Sequence, residues 1–505
     1  MGIKAGGGLF RIGWASVDVT PTEPVCLWGQ LYARVSEGVI SPITATALAM
    51  ESEDGQSSVL ISCDFVSVPE VIQKAVREEL ARTAPGLDAE GVVLSATHTH
   101  TSVARTGFGG PGSALRGETE TRDLAEYYGV DLDAMDPAGY NRWAAGRIAE
   151  AARRAWESRA PGGIGFGLGY ATIGHNRRVS FYSGTTRMYG GVNDPDFSHP
   201  EGGTYTGVGA LFTWDAGRKL TGVVVNVACP SQILEHEFKI AADFWHDARE
   251  ELRDRLGEDV HVLAQCGPAG DQSPGRESIQ ADWKAHERMV RLSGRTACRE
   301  TGVRIAEAVS AVLPLAEKEI DWTPRFRRSC ETVNLSRRNI TAPDLAEAAA
   351  QAEQHRAEYE HLRDELAANP RLREDPRWYV PITRAYCRWR WQSSVQKRFE
   401  AQQASVTVPA EIHVIRIGEA AIATNPFEFY LDFGLQIMAR SKAAQTFVVQ
   451  LAGEGTYLPS ARAVAGGSYG ATPASTPVGP EGGRELVNYT VEKINSFWDD
   501  PAGGA

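Results

Sequence analysis

The segment Gly91-Val-Val-Leu-Ser-Ala-Thr-His-Thr-His-Thr-Ser102 joins an apolar run to two histidines that stand one residue apart. Val92 to Leu94 predict a buried strand, and the small polar residues after them predict the loop at its carboxyl end. Active sites of α/β proteins lie at that edge of the sheet. If the backbone is extended here, the imidazoles of His98 and His100 project to the same side and could bind one ion or one substrate. The alternative is a pair of hydrogen-bonded loop histidines.

The composition is that of an ordinary soluble globular protein. Of the 505 residues, 42% are hydrophobic and 23% are charged, so the chain can bury a large core in one or two domains. The net charge of −12, without a long block of lysine and arginine, argues against nucleic acid or an anionic membrane as a partner. We therefore expect a small-molecule substrate, and a homo-oligomer is compatible with this composition.

The N-terminus and the cysteines predict a cytoplasmic protein. The first ten residues, Met-Gly-Ile-Lys-Ala-Gly-Gly-Gly-Leu-Phe, lack the apolar centre of a signal peptide. No run approaches the roughly 18 apolar residues that span a bilayer. The seven cysteines are odd in number and have no paired spacing, as expected of reduced thiols.

The histidine loop resembles a motif of a known family. Ser-Ala-Thr-His-Thr-His-Thr-Ser, at 95–102, is similar to the Thr-His-Thr-His-Ser-Gly signature of the neutral ceramidases, which are zinc amidases. The resemblance implies that His98 binds the metal and that His100 contacts the substrate. The opening Gly-Trp-Ala-Ser-Val-Asp-Val-Thr-Pro, at 13–21, likewise resembles the family's Gly-x-x-x-x-Asp-Ile-Thr-Pro.

Two further segments resemble family motifs that line the active site. Ala171-Thr-Ile-Gly-His-Asn-Arg-Arg178 is similar to Ala-x-Ile-Asn-Arg-Ser, which implies that Arg177 offers its guanidinium to a substrate oxygen. Gly270-Asp-Gln-Ser-Pro274 is similar to Gly-Asp-x-Ser-Pro, in which the serine contacts the substrate, and Ser273 is the matching residue. Without the resemblance, the first segment is a solvated turn and the second is a tight turn closed by a side-chain hydrogen bond.

One segment departs from the family at a metal ligand. The ceramidases have an apolar strand ending in His-Pro, followed fourteen residues after the histidine by an aspartate that begins a helix. This chain has Cys229-Pro230, with Asp243 at the same interval. The Cys229 thiolate could replace the imidazole on zinc. Alternatively, Cys229 is a small core residue, and the ligand is His236, is Asp243 or His246, which share a helix face, or has been lost.

The C-terminal third contains the remaining family matches. Asn425-Pro-Phe-Glu-Phe-Tyr430 resembles a segment whose glutamate binds zinc, which implies that role for Glu428; the alternative is a carboxylate that stabilises a helix start. Tyr457 matches the family's tyrosine ligand, and Tyr469, twelve residues later, matches a tyrosine that donates to the substrate carbonyl. The family's C-terminal β-sandwich domain has no counterpart after Trp498.

Alternating strands and helices predict an α/β fold, a mixed-sheet core resembling the neutral ceramidase catalytic domain. We expect residues 1–320 and 404–505 to form the catalytic domain. Residues 321–403 are richer in long polar helices and predict an inserted helical hairpin, whose aromatic side chains either pack it down or line a pocket mouth.

Three local features complete these expectations. A single helix is predicted from about Arg288 to Val312, and the glycine-rich segment 107–117 predicts a mobile rim loop. Asp64 ends a predicted strand, where it either supports a metal-binding histidine or caps the next turn.

The resemblance implies a zinc-dependent hydrolase acting on a small polar amide or ester. The metal ligands would be His98, Glu428 and Tyr457, with Cys229 or His246 completing the shell. The ion would activate a water molecule, while His100, Arg177 and Tyr469 hold the developing oxyanion and Ser273 orients the substrate.

Two alternatives stay open. One is a glycoside-cleaving enzyme on the same fold, with its acid and base drawn from Asp243, Glu235, Glu237 and Asp271. The other is a non-catalytic binding protein that kept the fold and lost the metal.

Overall fold

The computed structural model describes residues 10–103, 124–275 and 282–499, so the predicted rim loop at 107–117 lies outside the described residues. These ranges contain nineteen strands and eleven α-helices. The strands are β1 (Arg11–Asp18), β2 (Thr44–Glu51), β3 (Ser57–Cys63), β4 (Val92–Ala96), β5 (Ala160–Tyr170), β6 (Gly174–Asn176), β7 (Arg178–Phe181), β8 (Thr186–Met188), β9 (Phe197–Pro200), β10 (Gly207–Asp215), β11 (Leu220–Val227), β12 (His261–Cys266), β13 (Gln272–Pro274), β14 (Phe326–Ser336), β15 (Thr407–Ile417), β16 (Ala420–Thr424), β17 (Glu428–Phe429), β18 (Gln445–Val449) and β19 (Tyr457–Leu458). The helices are α1 (Glu70–Thr83), α2 (Leu124–Tyr128), α3 (Pro137–Glu157), α4 (Phe244–Leu256), α5 (Trp283–Ser293), α6 (Ala297–Ala316), α7 (Ala342–Ala368), α8 (Tyr379–Ala404), α9 (Leu431–Arg440), α10 (Ala461–Gly466) and α11 (Pro480–Asp499).

Two sheets packed face to face form the centre of the molecule. The larger has eight strands in the order β12-β11-β10-β5-β1-β2-β3-β4, and the smaller has four in the order β14-β15-β16-β18. Both mix parallel and antiparallel pairs, because β3 runs parallel to β4 and β16 runs parallel to β18. Leu48 and Leu60 of the larger sheet share an apolar cluster with Ile415 and Ile422 of the smaller. The predicted mixed-sheet α/β fold is confirmed.

Helices cover the outer faces of both sheets. Strand β2 shows how, because Leu48 and Met50 face the smaller sheet while Ala47 and Ala49 face α1 and α3. Helices α4 and α6 cover β10 to β12, and α9 and α11 cover the smaller sheet. The result is four layers, helix, sheet, sheet and helix, so strands of each sheet are buried on both sides.

The helical hairpin is α7 and α8, inserted between β14 and β15. A capping box between Thr341 and Asp344 begins α7, and Tyr386 and Trp389 of α8 pack on Tyr359 of α7. The predicted insertion, 321–403, also contains β14, which pairs with β15 along its whole length and so belongs to the smaller sheet. The inserted part is therefore shorter than the sequence suggested.

The single helix predicted from about Arg288 to Val312 is wrong, because α5 and α6 are separate helices. Gly294 ends α5 in a left-handed conformation, with φ of 69°. The Thr296 side chain then accepts a hydrogen bond from the Arg299 amide and starts α6. The helix-ending glycine and the helix-starting threonine thus outweigh the apolar periodicity that runs through both helices.

Within the described ranges, no helix has the length and apolar character needed to cross a membrane. The seven cysteines are all free.

Candidate active site

A cavity of about 150 Å³ lies where the loop after β4, the β17–β19 pair and helix α8 meet. Five predicted site residues line it, contributed by three distant parts of the chain: His98, His100, Glu428, Tyr457 and Tyr469. The structure thus assembles these five residues in one place. The loop holding the two histidines follows β4 directly, at the sheet edge where the sequence placed the site.

His98 takes a strained conformation to reach the cavity. Its φ is 64°, so the extended backbone expected at this residue is wrong. The imidazole Nδ1 donates to the carbonyl oxygen of Val66 at 2.7 Å. That bond leaves Nε2 with a free lone pair, and it lies 3.3 Å from Nε2 of His100. The two rings therefore still meet, with their centroids 4.8 Å apart.

Asp64, at the end of β3, ties the histidine loop to helix α4. Its carboxylate accepts from the hydroxyl of Thr97 at 3.3 Å and from the backbone amide of Thr44 at 2.9 Å. Both of its oxygens also accept from Arg249 of α4, each at 2.8 Å. Asp64 thus supports the residue before His98.

Two side chains fix the position of the His100 ring. Its Nδ1 lies 3.2 Å from a carboxylate oxygen of Glu235, and its Nε2 accepts from the amide of Gln232 at 2.8 Å. Burial, together with the charges of His98 and Arg34, lowers the pKa of His100 well below its ordinary value. The buried Arg34 also fixes the loop, since it donates to the carbonyls of His100 and Glu235 at 2.5 and 2.7 Å.

Glu428 and Tyr457 are placed side by side by the two-stranded sheet of β17 and β19. The strands run parallel, with Glu428 and Tyr457 as register partners. Their close approach needs Gly455, because an added Cβ there would lie 1.6 Å from a backbone oxygen of Pro426. One carboxylate oxygen of Glu428 lies 3.5 Å from Nε2 of His98. Burial opposes ionisation of Glu428, but the neighbouring His98, the guanidinium of Arg177 and the Tyr457 hydroxyl lower its pKa.

Arg177 is fully buried beside these residues and uses its terminal nitrogens within the protein. One donates to the hydroxyl of Tyr189 at 2.6 Å and to the Gln232 side chain at 3.2 Å. The other donates to a backbone carbonyl at 2.9 Å and to the hydroxyl of Tyr457 at 3.2 Å, and lies 3.8 Å from Glu428. Here Arg177 orients Tyr457 and Gln232, and a direct contact with substrate stays a prediction.

Tyr469 stands at the mouth of the cavity, 38% exposed. Its ring contacts Tyr457 edge-on and Trp391 of α8, with centroids 5.5 Å away in both cases. Burial of its hydroxyl and the charge of Glu428 raise the pKa of Tyr469 to about 12. It therefore keeps its proton at neutral pH and can donate a hydrogen bond into the cavity.

The cavity contains hydrogen-bond acceptor atoms that lack donors and could bind a cation. Nε2 of His98 has a lone pair that points into the cavity region, 3.3 Å from Nε2 of His100, and one buried oxygen of Glu428 has no hydrogen-bond donor. Imidazole nitrogen, carboxylate and phenol oxygen are ligands that Zn²⁺ accepts. His98, Glu428 and Tyr457 thus fit a metal as a set of three, beside the guanidinium of Arg177.

The predicted fourth ligand is not brought to this set. Cys229 is fully buried in the apolar cluster under α4 and α6, its thiol directed to the Pro230 carbonyl at 3.4 Å. Burial raises the pKa of this thiol well above its ordinary value. Among the described residues, neither Cys229 nor His246 forms a cluster of ligand atoms with His98 and Glu428. The reason is orientation, since Cys229 follows β11 facing the helical layer.

Asp243 and Ser273, predicted to act on the substrate, have structural contacts instead. Asp243, with φ of 53°, caps α4 and accepts from the amides of Leu234 and Phe244 at 2.7 and 2.8 Å. It thereby fixes the loop that carries Gln232, and burial raises its pKa to about 6. Ser273 is fully buried on β13, with its hydroxyl 3.5 Å from the Pro274 carbonyl. Neither side chain lines the cavity.

A second group of metal-type side chains lies elsewhere, on β14 and β15. Cys330, Glu411 and His413 have ligand atoms close enough to share an ion. Both oxygens of Glu411 already accept from Arg77, at 2.7 and 3.0 Å. The charge of this carboxylate is therefore already balanced by a guanidinium, which disfavours an additional metal ion here.

Comparisons with known proteins support one fold. No family model matches the chain, and no curated protein matches it by sequence. The crystal structure of neutral ceramidase from Pseudomonas aeruginosa superposes with a TM-score of 0.64 at 17% identity, covering 99% of this chain and 76% of that one. A ceramidase complexed with C2 gives a TM-score of 0.64 at 16% identity, covering 98% and 76%. The fold is that of the neutral ceramidases. The fold that the sequence resemblance predicted is thereby confirmed.

On this ceramidase fold, several site residues escaped the sequence reasoning. Gln232 follows the Cys-Pro pair by two residues, and its place just beyond the end of β11 was the available signal. Glu235 was considered only as a glycosidase carboxylate, not as the partner of His100. Arg34 and Tyr189 belong to no motif, so nothing in the sequence marked them.

Proposed function

We propose that this protein is a zinc-dependent hydrolase that cleaves a small polar amide or ester. The observation that carries the proposal is the pair formed by Nε2 of His98 and the donor-free oxygen of Glu428, 3.5 Å apart. A divalent cation would satisfy both atoms, and the register of β17 with β19 adds the phenol oxygen of Tyr457. The neutral ceramidase fold supports the assignment.

A bound ion would lower the pKa of a water molecule and polarise a substrate carbonyl. The residues around it divide the remaining work. His100 is neutral and can accept a proton at Nε2 when the Gln232 amide moves aside, and Glu235 stabilises the cation that results. Tyr469 donates its hydroxyl proton in a hydrogen bond to the developing oxyanion.

The cavity and its carboxylates favour an amide or ester over a glycoside. At about 150 Å³ the cavity suits a small substrate. Glycoside cleavage requires two carboxyl groups that face the bond. Asp243 and Asp271 instead accept backbone amide protons, and Glu235 faces His100. Glu428 is the one carboxylate on the part of the cavity wall that the structure describes.

The test is a screen of chromogenic amides, esters and glycosides with zinc-reconstituted protein. We expect turnover of an amide or ester that is lost on chelation and restored by zinc. His98→Ala should abolish turnover, whereas His199→Ala, at an exposed histidine, should leave it unchanged. Turnover confined to glycosides would contradict the proposal. Absence of both turnover and bound metal would favour the binding-protein alternative.

A further inference from the structure

Helix α8 presents a positively charged strip to the cavity. The cavity wall includes Arg390, Ser394 and Arg398 of this helix. Their spacing of four residues places them on one helix face. The strip lies in the same cavity as His98 and Glu428. A substrate that reaches the candidate metal ligands is therefore also within reach of these arginines.

Arg398 is a buried cation that pairs with no carboxylate in the described part of the chain. It is 8% exposed, and within the described residues its hydrogen bonding consists of one contact, from Nη1 to the carbonyl of Pro473 at 2.6 Å. Burial and the neighbouring cations Arg338 and Arg337 lower its pKa to about 10. Removing a charge from water without an opposite charge nearby is strongly unfavourable. The surroundings of Arg398 are thus incomplete without an anion.

Arg390 lies about two helical turns closer to the start of α8. It is half-buried, and no carboxylate among the described residues pairs with it. By contrast, two other arginines of the hairpin region have carboxylate partners: Arg356 contacts Glu353 and Arg377 contacts Glu37.

The charges around the cavity sum to an excess of positive charge. Its described wall carries Arg390 and Arg398 and a single carboxylate, Glu428. That carboxylate lies beside His98 and does not neutralise the strip. Trp391 and Leu451 supply apolar wall between these groups. Such a cavity favours a small ligand that carries a negative charge at one end.

We propose that the substrate carries a carboxylate, separate from the bond that is cleaved, and that Arg390 and Arg398 bind it. The inference rests on the proposed function and narrows its substrate to an acidic amide or ester. Guanidinium groups match carboxylates in charge and in planar, two-point geometry. Ser394, between them, has a hydroxyl that already donates to the Trp391 carbonyl and so has lone pairs rather than a proton to offer.

Binding of small probes tests the proposal without requiring turnover. N-acetylglycine, its neutral amide N-acetylglycinamide and inorganic phosphate would be titrated by calorimetry into the zinc-reconstituted protein and into metal-free His98→Ala. We expect N-acetylglycine to bind both proteins at least tenfold more tightly than the neutral amide. Arg390→Gln should weaken its binding by roughly 10- to 100-fold, as expected for loss of a hydrogen bond between charged groups.

Arg388→Gln is the matched control, because Arg388 lies on α8 but is exposed and lines no part of the cavity. It should bind N-acetylglycine as the parent protein does. Equal affinity for the acid and the neutral amide, unchanged affinity in Arg390→Gln, or binding of phosphate alone would each overturn the proposal. If no substrate is hydrolysed but the acid still binds through Arg390, the proposed function fails and the anion site stands.

Discussion

Removing one partner of the ion pair between Asp64 and Arg249 should destabilise the fold by several kcal/mol. The side chains are 0% and 6% exposed, and two parallel hydrogen bonds of 2.8 Å join them. The carboxylate also accepts hydrogen bonds from the hydroxyls of Thr44 and Thr97, so both of its oxygens are fully hydrogen-bonded. The pair links β3, the histidine loop and α4. Its loss would therefore affect the position of the loop that carries His98.

Asp64→Asn is the perturbation that isolates this charge. It keeps the shape of the side chain but turns one acceptor into a donor that faces a guanidinium. Arg249 is then a buried cation without its partner, which costs about 3–5 kcal/mol. The assay is urea denaturation at constant pH, from which the free energy of unfolding follows if the m-value is unchanged.

An exposed pair provides the comparison. Lys219 and Asp259 are 2.9 Å apart, but their side chains are 66% and 83% exposed. Solvent screens such a pair, so Asp259→Asn should barely move the denaturation midpoint. If Asp64→Asn moved the midpoint no further than Asp259→Asn, the reasoning about the buried pair would be refuted.

Three other predictions concern single side chains. Gly29→Ala should lower kcat/KM by about 100-fold or more, because φ at Gly29 is 106° and the new Cβ would lie 2.3 Å from the His100 ring. Gly55→Ala is the control: φ at Gly55 is 81° and its Cβ would meet open space, so this change should affect stability alone. Tyr469→Phe should cost about 2–4 kcal/mol of transition-state stabilisation in kcat/KM, with an unchanged denaturation midpoint. Burial raises the pKa of Asp243 to about 6. The contribution of Asp243 to the free energy of unfolding should therefore have a negative slope with pH, falling by up to about 3 kcal/mol as the pH rises from about 4 to 6. Asp243→Asn should remove that slope in urea denaturation.

Local patterns in the sequence predicted the parts of the site that depend on short segments. The apolar run before His98 ends in a loop at a strand edge, and that relation survives in the structure. Glu428, Tyr457 and Tyr469 were found through the family motifs, and they do line the cavity. The motif around Glu428 suggested a helix start, whereas the residue lies on β17 and α9 begins at Leu431.

Contacts between distant residues could not be predicted in the same way. The direction of the Cys229 side chain depends on how β11 packs under α4 and α6, which the sequence of the strand does not encode. Arg34 donates a hydrogen bond to the carbonyl oxygen of Glu235, which is 201 positions away in the sequence. The arginines of α8 look like ordinary solvated charges until the hairpin is folded over the cavity.

Metal content tests the central claim most directly. The protein would be stripped with a chelator, reconstituted with zinc, freed of excess by gel filtration and analysed by mass spectrometry for zinc per chain. The account predicts one equivalent in the parent protein and in Cys229→Ser, and none in His98→Ala or Glu428→Gln, although all four remain folded by circular dichroism. Zinc bound equally by His98→Ala, or no zinc in the parent protein, would contradict it.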